Sequence, residues 1–280
     1  MFLGRSQHGR YWLLILPAVA LMLVFYVYPL LQVLWISVTE PEPGLGNYRE
    51  LFTSAFLHKI WWTTARICSI TTILTVLLGY VVAFAMAHVR QRHMTAIMFC
   101  VLLTFWLSVL VRAFAWVMLL RTEGVINEAL LWIGLTDQPL RLSRNEFGVV
   151  VGMVHFMLPL AILPIYANLR GIDASYVSAA RGMGASALKA FWWVYLPLSK
   201  PGVIAATILV FVFSLGFFIT PAILGGGRVV MISEFIRVAF EETLLWGKAT
   251  MLSASLLFCV LLILAIVGRV VDLRRVFGST

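Results

Sequence analysis

Charge is scarce in this sequence. Only 12% of its 280 residues are Asp, Glu, Lys or Arg, where a soluble globular chain carries about 25%. With 62% hydrophobic residues and a mean hydropathy of +0.98, that shortage excludes a soluble domain and makes the chain an integral membrane protein. Cysteine is nearly absent. Cys68, Cys100 and Cys259 fall in or beside apolar runs without CxxC spacing, so they read as small buried thiols rather than a disulfide framework or a zinc site. No phosphate-cradling loop occurs. Lys189, Lys200 and Lys248 lack the GxxxxGK[ST] frame, and Gly247-Lys248 has Glu242 where the first glycine is needed. The five histidines are scattered, HExxH is missing, and no pair of carboxylates lies within an apolar run. Nothing here is an enzyme, and the chain should carry no cofactor or metal of its own.

What is present is a series of apolar runs, each long enough to cross about 30 Å of hydrocarbon. The first spans Tyr11 to about Ile36, with Pro17 and Pro29 expected to kink or end it. Its apolar core is too long for a cleaved signal peptide, so it reads as retained. Turn-rich Thr39–Gly46 follows, then a surface helix at Asn47–Lys59, with Trp61-Trp62 marking the interface. The second span is Arg66–Ala87 and the third Thr95–Leu120. A polar loop with a surface helix at Ile126–Ile133 leads to the fourth, Phe147–Leu169, expected to break at Pro159 and Pro164. The fifth is Val203–Ile223, followed by the Gly225–Gly227 loop and a surface helix at Ser233–Glu242. The sixth is Ala249–Val271. The fold expected is therefore all-α, one transmembrane domain over 1–280 with six spans.

The stretch Tyr176–Pro201, YVSAARGMGASALKAFWWVYLPLSKP, is too polar for lipid and too patterned for a linker. SAAR favours helix, with Ser178 as its cap. Gly182 and Gly184 supply the angles of a tight turn. Leu188, Phe191, Trp192 and Tyr195 recur at i, i+3, i+4 and i+7, a second helix that Leu196-Pro197 should stop. Such a helix–turn–helix is either a docking surface for a soluble partner or an amphipathic segment on the headgroups.

Ala179, Ala180, Gly184, Ala185, Phe191, Val194, Leu196 and Pro197 fall on the pattern of the EAA loop of ABC-importer permeases, which this stretch resembles. Ser178 stands where that loop usually has Glu. The resemblance implies a type I importer permease fold, with 172–201 as its cytoplasmic coupling loop. Ser178, Ala179, Ala180, Arg181, Gly184, Ala185, Phe191, Leu196 and Pro197 would then meet an ATPase. It also implies partners: a second permease chain, two ATP-binding subunits that hold ATP and Mg, and a periplasmic solute-binding protein, in a bacterial inner membrane. NYRELF, LVRAFAW and FFITPAILGG with GRVVMISEFI are similar to the spermidine/putrescine-type permeases, so polyamines, opines and other small solutes are the implied cargo.

Basic residues give an independent orientation. Arg5 and Arg10, Arg90 and Arg92, then Arg170, Arg181, Lys189 and Lys200, and finally Arg269, Arg274 and Arg275 all fall on one side, eleven in short segments, against eight (Arg49, Lys59, Arg121, Arg141, Arg144, Arg228, Arg237 and Lys248) in longer ones on the other. By the positive-inside rule the first side, with both termini, is cytoplasmic. The net charge of +9 is thus spread among loops rather than gathered in a groove, which argues against nucleic acid.

Two features could line a solute path. Arg112 is a full charge deep in LSVLVRAFAWVMLL, and Trp116 shares its helical face and could stack on it. Arg112 either faces the path or a neighbouring helix, or it snorkels to the interface. FVFSLGFFITPAILGG mixes Ser214, Gly216, Thr220 and Pro221 with phenylalanines, Phe217 among them. It either unwinds around a cavity or uses its small residues for close packing. His155 reads as a helix-packing hydrogen bond. A polycationic solute would find no carboxylate within a span, and Arg112 would repel it. Two other classes are a secondary transporter, which should show a repeat and intramembrane ion-binding carboxylates, and a membrane scaffold, which would need neither Gly184 nor Arg112.

Overall fold

In the computed structural model, residues 15–270 are described. The start of the first span, Arg5, Arg10 and the Arg274-Arg275 tail lie outside them. The described residues fold as helices, five of them long and apolar enough to span a membrane singly, and a bent pair makes six if it is taken as one broken span.

Residues 15–55 and 235–259 form one compact unit. Helix α1 (Ile15–Thr39) runs through Pro17 and Pro29 without ending. A single wide turn at Leu23–Val27, with the Tyr28 N–H bonded to the Leu23 carbonyl, absorbs the register break ahead of Pro29. Helix α2 (Gly46–Thr53) is short and stops at Ser54, so the surface helix expected over Asn47–Lys59 is divided. Asn47 is nearly buried and ties the turn to α1: its side-chain amide donates to the Glu40 carbonyl at 2.7 Å. In the same unit Lys248 pairs with Glu50 at 2.8 Å. A Cβ on Gly247 would strike the Glu40 carbonyl oxygen.

Residues 56–234 and 260–270 belong to the second unit. Helix α3 (Ala55–His88) has 34 residues, about 51 Å of rise. It takes in the second span and the C-terminal half of the expected surface helix. The third span is not one rod: α4 (Gln91–Trp106) and α5 (Val109–Leu119) meet at 98° across Leu107-Ser108. Helix α6 (Val125–Trp132) follows the expected surface position. Helix α7 (Glu146–Arg170) is continuous despite Pro159 and Pro164. Its surroundings accommodate both prolines: Met157, Ala161, Ile162 and Ile165 are buried in the core with Ala83 of α3 and Met94 of α4, so this part of the helix faces protein.

Helix α8 (Ala174–Gly182) is followed by α9 (Ala187–Gly216), a 30-residue rod that packs along α7. Close approach is set by missing side chains. A Cβ on Gly79 would lie 2.9 Å from that of Ala161, and one on Gly202 would lie 2.6 Å from that of Asn168. The fifth span ends early, at Gly216. Phe217 is extended (φ −85, ψ 120) before α10 (Ile219–Leu224). Helix α11 (Ile232–Glu241) falls on the expected surface helix, and α12 (Trp246–Val270) on the sixth span.

Candidate functional sites

The polar stretch folds as the helix–turn–helix its pattern requires, but with different punctuation. Asp173, not Ser178, caps α8: its carboxylate accepts the Ser175 N–H at 2.8 Å. Hydrogen bonds from the Ser175 backbone and hydroxyl hold the Asp173 carboxyl below its ordinary pKa. Ser178 lies in mid-helix, four residues past the first, where its hydroxyl has no free N–H to cap.

The turn is a Schellman motif. The Ala185 N–H reaches the Ala180 carbonyl at 3.1 Å and the Gly184 N–H reaches the Arg181 carbonyl at 3.0 Å. Gly184 supplies the positive φ of +90 that this closure demands. Ser186 then caps α9 by accepting the Lys189 N–H at 3.3 Å.

Leu196-Pro197 does not stop the helix. Phe191–Tyr195 forms a wide turn in which the Leu196 N–H bonds back five residues to the Phe191 carbonyl. Proline would crowd the carbonyl four residues before it in a regular helix; the wider turn makes room, so the loop's second helix and the fifth span are one body. Phe191 anchors this junction. Its ring meets Phe84 edge-on at 5.6 Å and Tyr195 at 6.1 Å. Of the expected docking residues, Ala180 is the buried residue of α8, while Ala179, Arg181 and Pro197 are exposed and Ala185 and Leu196 half-buried.

The candidate path residues gather where α5, α7 and α10 meet. Arg112 on α5 is only 8% exposed. Its guanidinium carbon lies 4.4 Å from the centre of the Phe156 ring, so it stacks on α7 rather than on Trp116. Trp116 is instead engaged with His155: its indole Nε1 donates to Nδ1 at 3.1 Å. That bond joins α5 to α7. Nε and Nη1 of Arg112 are buried without a hydrogen-bond partner. Thr220 of α10 and Gly152 of α7 close the niche, and no water-sized space remains inside it. A Cβ on Gly152 would sit 2.7 Å from the Thr220 methyl.

Phe217, at the break before α10, packs its ring 4.4 Å from Phe156. The carbonyl it frees by leaving the helix accepts the Ser233 hydroxyl at 2.9 Å. Ser214 is apart from this group, buried and bonded to the Val210 carbonyl of its own helix. The niche thus holds Arg112, Trp116 and Thr220, with Phe217 joined through Phe156. Phe156 and Gly152 carry no polar mark in the sequence, and only the i, i+3 spacing of Gly152 and His155 could have tied them to one face.

Comparison with known proteins places this architecture. Residues 75–275 match the family model described as binding-protein-dependent transport system inner membrane component. The chain is similar to the spermidine/putrescine transport system permease protein PotB of Haemophilus influenzae. Identity is 30% over 251 residues, covering 86% of this chain and 87% of the relative. The PotB of Escherichia coli is 29% identical over 221 residues, 78% and 80% of the two chains. A solved structure of a bacterial alginate ABC transporter, in complex with an alginate pentasaccharide-bound periplasmic protein, has a chain of the same fold. Its TM-score is 0.76, with 18% identity over 95% of this chain and 97% of that one. Matched by this family model and these relatives over most of its length, the apolar helical chain is a multi-pass transport subunit rather than an enzyme: it belongs to the family of binding-protein-dependent ABC transport system inner membrane components.

Proposed function

We propose that this permease subunit forms half of the path by which an ABC importer takes up a small organic solute, a polyamine of the spermidine/putrescine kind first among them. Separate ATPase subunits, holding ATP and Mg, dock on the α8–Gly184–α9 hairpin. A second permease chain completes the path. A periplasmic binding protein delivers the solute, as in the alginate transporter complex. The hairpin and both termini are cytoplasmic, and 1–280 acts as one transmembrane domain. Ser178, Ala179, Arg181 and Ala185 meet the ATPase. Arg112, Trp116, Phe217 and Thr220 border the path, with Ser214 behind them.

The carrying observation is the hairpin itself: two capped helices around a glycine turn, projecting from apolar helices, with the second helix continuous into a span. Polyamine cargo rests on the likeness to the two PotB proteins. One feature favours a second reading, a neutral or anionic solute. Within the described apolar helices the only carboxylate is Glu146, at the first position of α7, whereas Arg112 is buried.

The test is uptake by the chain assembled with its partner permease, ATPase and binding protein in vesicles. ATP-dependent accumulation of labelled spermidine is the expected result. Hydrolysis stimulated by the loaded binding protein for a neutral or anionic solute, with spermidine inert, would favour the second reading. ATP hydrolysis by the isolated chain would refute the subunit assignment.

A further inference from the structure

Beneath the hairpin lies a cavity of about 450 Å³. That is within the range of small-molecule sites, about 300–1,000 Å³. It is enclosed by the last turns of α3 and α7, by α8 and by the first turns of α9. Its lining mixes polar residues, Arg170, Arg181 and Ser178, with an aromatic group of Phe84, Phe191 and Tyr195, and the His88 ring packs 4.2 Å from Phe84 within that group. No carboxylate lines it. The guanidinium groups of Arg170 and Arg181 make no ion pair among the described residues.

The balance of charge asks for an anion from outside. The C-termini of α3 and α7 oppose one, since a helix end carries about half a negative charge. His88 is already spent on this, with Nδ1 at 2.8 Å from the Phe84 carbonyl. Arg170 is the last residue of α7 and offsets the same field there. Arg181 holds the corresponding place in the last turn of α8, and the N-terminus of α9 at Ala187 adds a positive end on the same cavity. Two guanidiniums without an ion pair among the described residues, a hydroxyl and a helix N-terminus match a phosphate. The aromatic wall matches an apolar body attached to it.

Position narrows the source. His88 and Arg170 are each the terminal residue of a membrane-length helix, so the cavity opens at headgroup depth on whichever side it lies. Trp192 and Trp193, exposed beside it on the wide turn, are residues that favour that depth. Basic pockets between membrane helices suit anionic lipid headgroups.

We propose that this cavity binds the phosphate of an anionic phospholipid, with its glycerol and upper acyl carbons against Phe84, Phe191 and Tyr195. The site rests on the hairpin being at the cytoplasmic leaflet only for its biological role, not for its chemistry. In the undocked chain a lipid seated there braces α8 against α3 and α7; because Ser178 and Arg181 are also assigned to the ATPase contact, lipid and ATPase compete for them.

The test uses the purified full chain in detergent, without ATPase or solute, so that it stands apart from the transport reading. Thermal unfolding is followed while phosphatidylglycerol, phosphatidylcholine or inorganic phosphate is added. Phosphatidylglycerol should raise Tm saturably, phosphatidylcholine should not, and millimolar inorganic phosphate should compete with the lipid. At about 1 kcal/mol per basic residue near the surface, the double variant Arg170→Gln/Arg181→Gln should weaken the lipid about thirtyfold. Ser178→Glu, which puts a carboxylate on the polar wall, should abolish the shift without requiring that either arginine be removed. Equal shifts from both lipids, or an unchanged shift in both variants, would overturn the site. A full shift from inorganic phosphate alone would assign it to a soluble phosphate and overturn the lipid.

Discussion

Replacing Gly184 isolates what the hairpin turn does. A Cβ built at this position meets nothing within 4 Å, so a substitution there causes no collision within the chain. The penalty is conformational alone. With φ at +90, a residue other than glycine pays roughly 1–2 kcal/mol for the left-handed region, and a β-branched one more. The alternative, relaxing to negative φ, breaks the two bonds that close α8, Ala185 to Ala180 and Gly184 to Arg181. If the ATPase reads the closed hairpin, its affinity falls with the fraction closed, by about 5- to 30-fold for that penalty. Asn visits the left-handed region readily, so the order expected is Gly, then Asn, then Ala, then Val. Surface plasmon resonance of the ATPase on nanodisc-embedded variants gives the affinities, and expression with six-span topology mapping controls for folding. Val binding as tightly as glycine would refute the reasoning, because the positive φ would then carry no cost for docking. Asn binding as poorly as Val would refute it differently, by showing that the side chain meets the partner.

Other positions give shorter tests. Arg112→Met should raise Tm, because it removes buried nitrogens without partners, while lowering solute uptake; a fall in Tm would show that Phe156 and the guanidinium stabilise the fold on balance. Gly152→Val should destabilise by about 1–3 kcal/mol through overpacking against Thr220 and Leu224, and the companion Thr220→Ala should relieve part of that in a thermal melt. Asp173→Asn should preserve ATPase binding and Asp173→Ala weaken it, since either Asp or Asn caps α8. The Asp173 carboxyl titrates below its ordinary value when folded. Its capping contribution is therefore complete above the ordinary carboxylate pKa and lost as pH falls through the depressed one, so wild type and Asp173→Ala should converge only in acid.

Much of this was legible from residues alone, where a local rule has no competitor. The glycine in the hairpin, the surface helices after Gly124 and Met231, and the apolar extent of α7 follow from capping, turn chemistry and run length. Proline misled because its cost depends on surroundings: Pro159 and Pro164 sit in a helix enclosed by α3, α4 and α9, and Pro197 follows a wide turn that makes room for it. The 98° bend at Leu107-Ser108 carries no glycine or proline, so composition could not mark it. Arg112 was visible as a charge in an apolar run, but its ring partner was not. Trp116 shares a helical face with it, yet Phe156 arrives from 44 positions along the chain, as a cation–π contact that only tertiary packing reveals.

The unbroken course of α9 makes it a lever. Thirty residues, about 45 Å, run from the docking turn at Ala187 to Gly216, next to the Phe217 break. The wide turn at Phe191–Tyr195 lies near the short arm's end, where backbone bonds are already respaced and bending is cheapest. A tilt of about 5° about that point, on a body this long, displaces the far end by about 3 Å. Phe217 hangs from that far end with its ring on Phe156, which also carries the Arg112 guanidinium. Three ångströms is close to the thickness of one aromatic ring. A small rotation at the turn beneath the hairpin is thus the right size to lift Phe217 off Phe156, the ring on which the Arg112 guanidinium stacks.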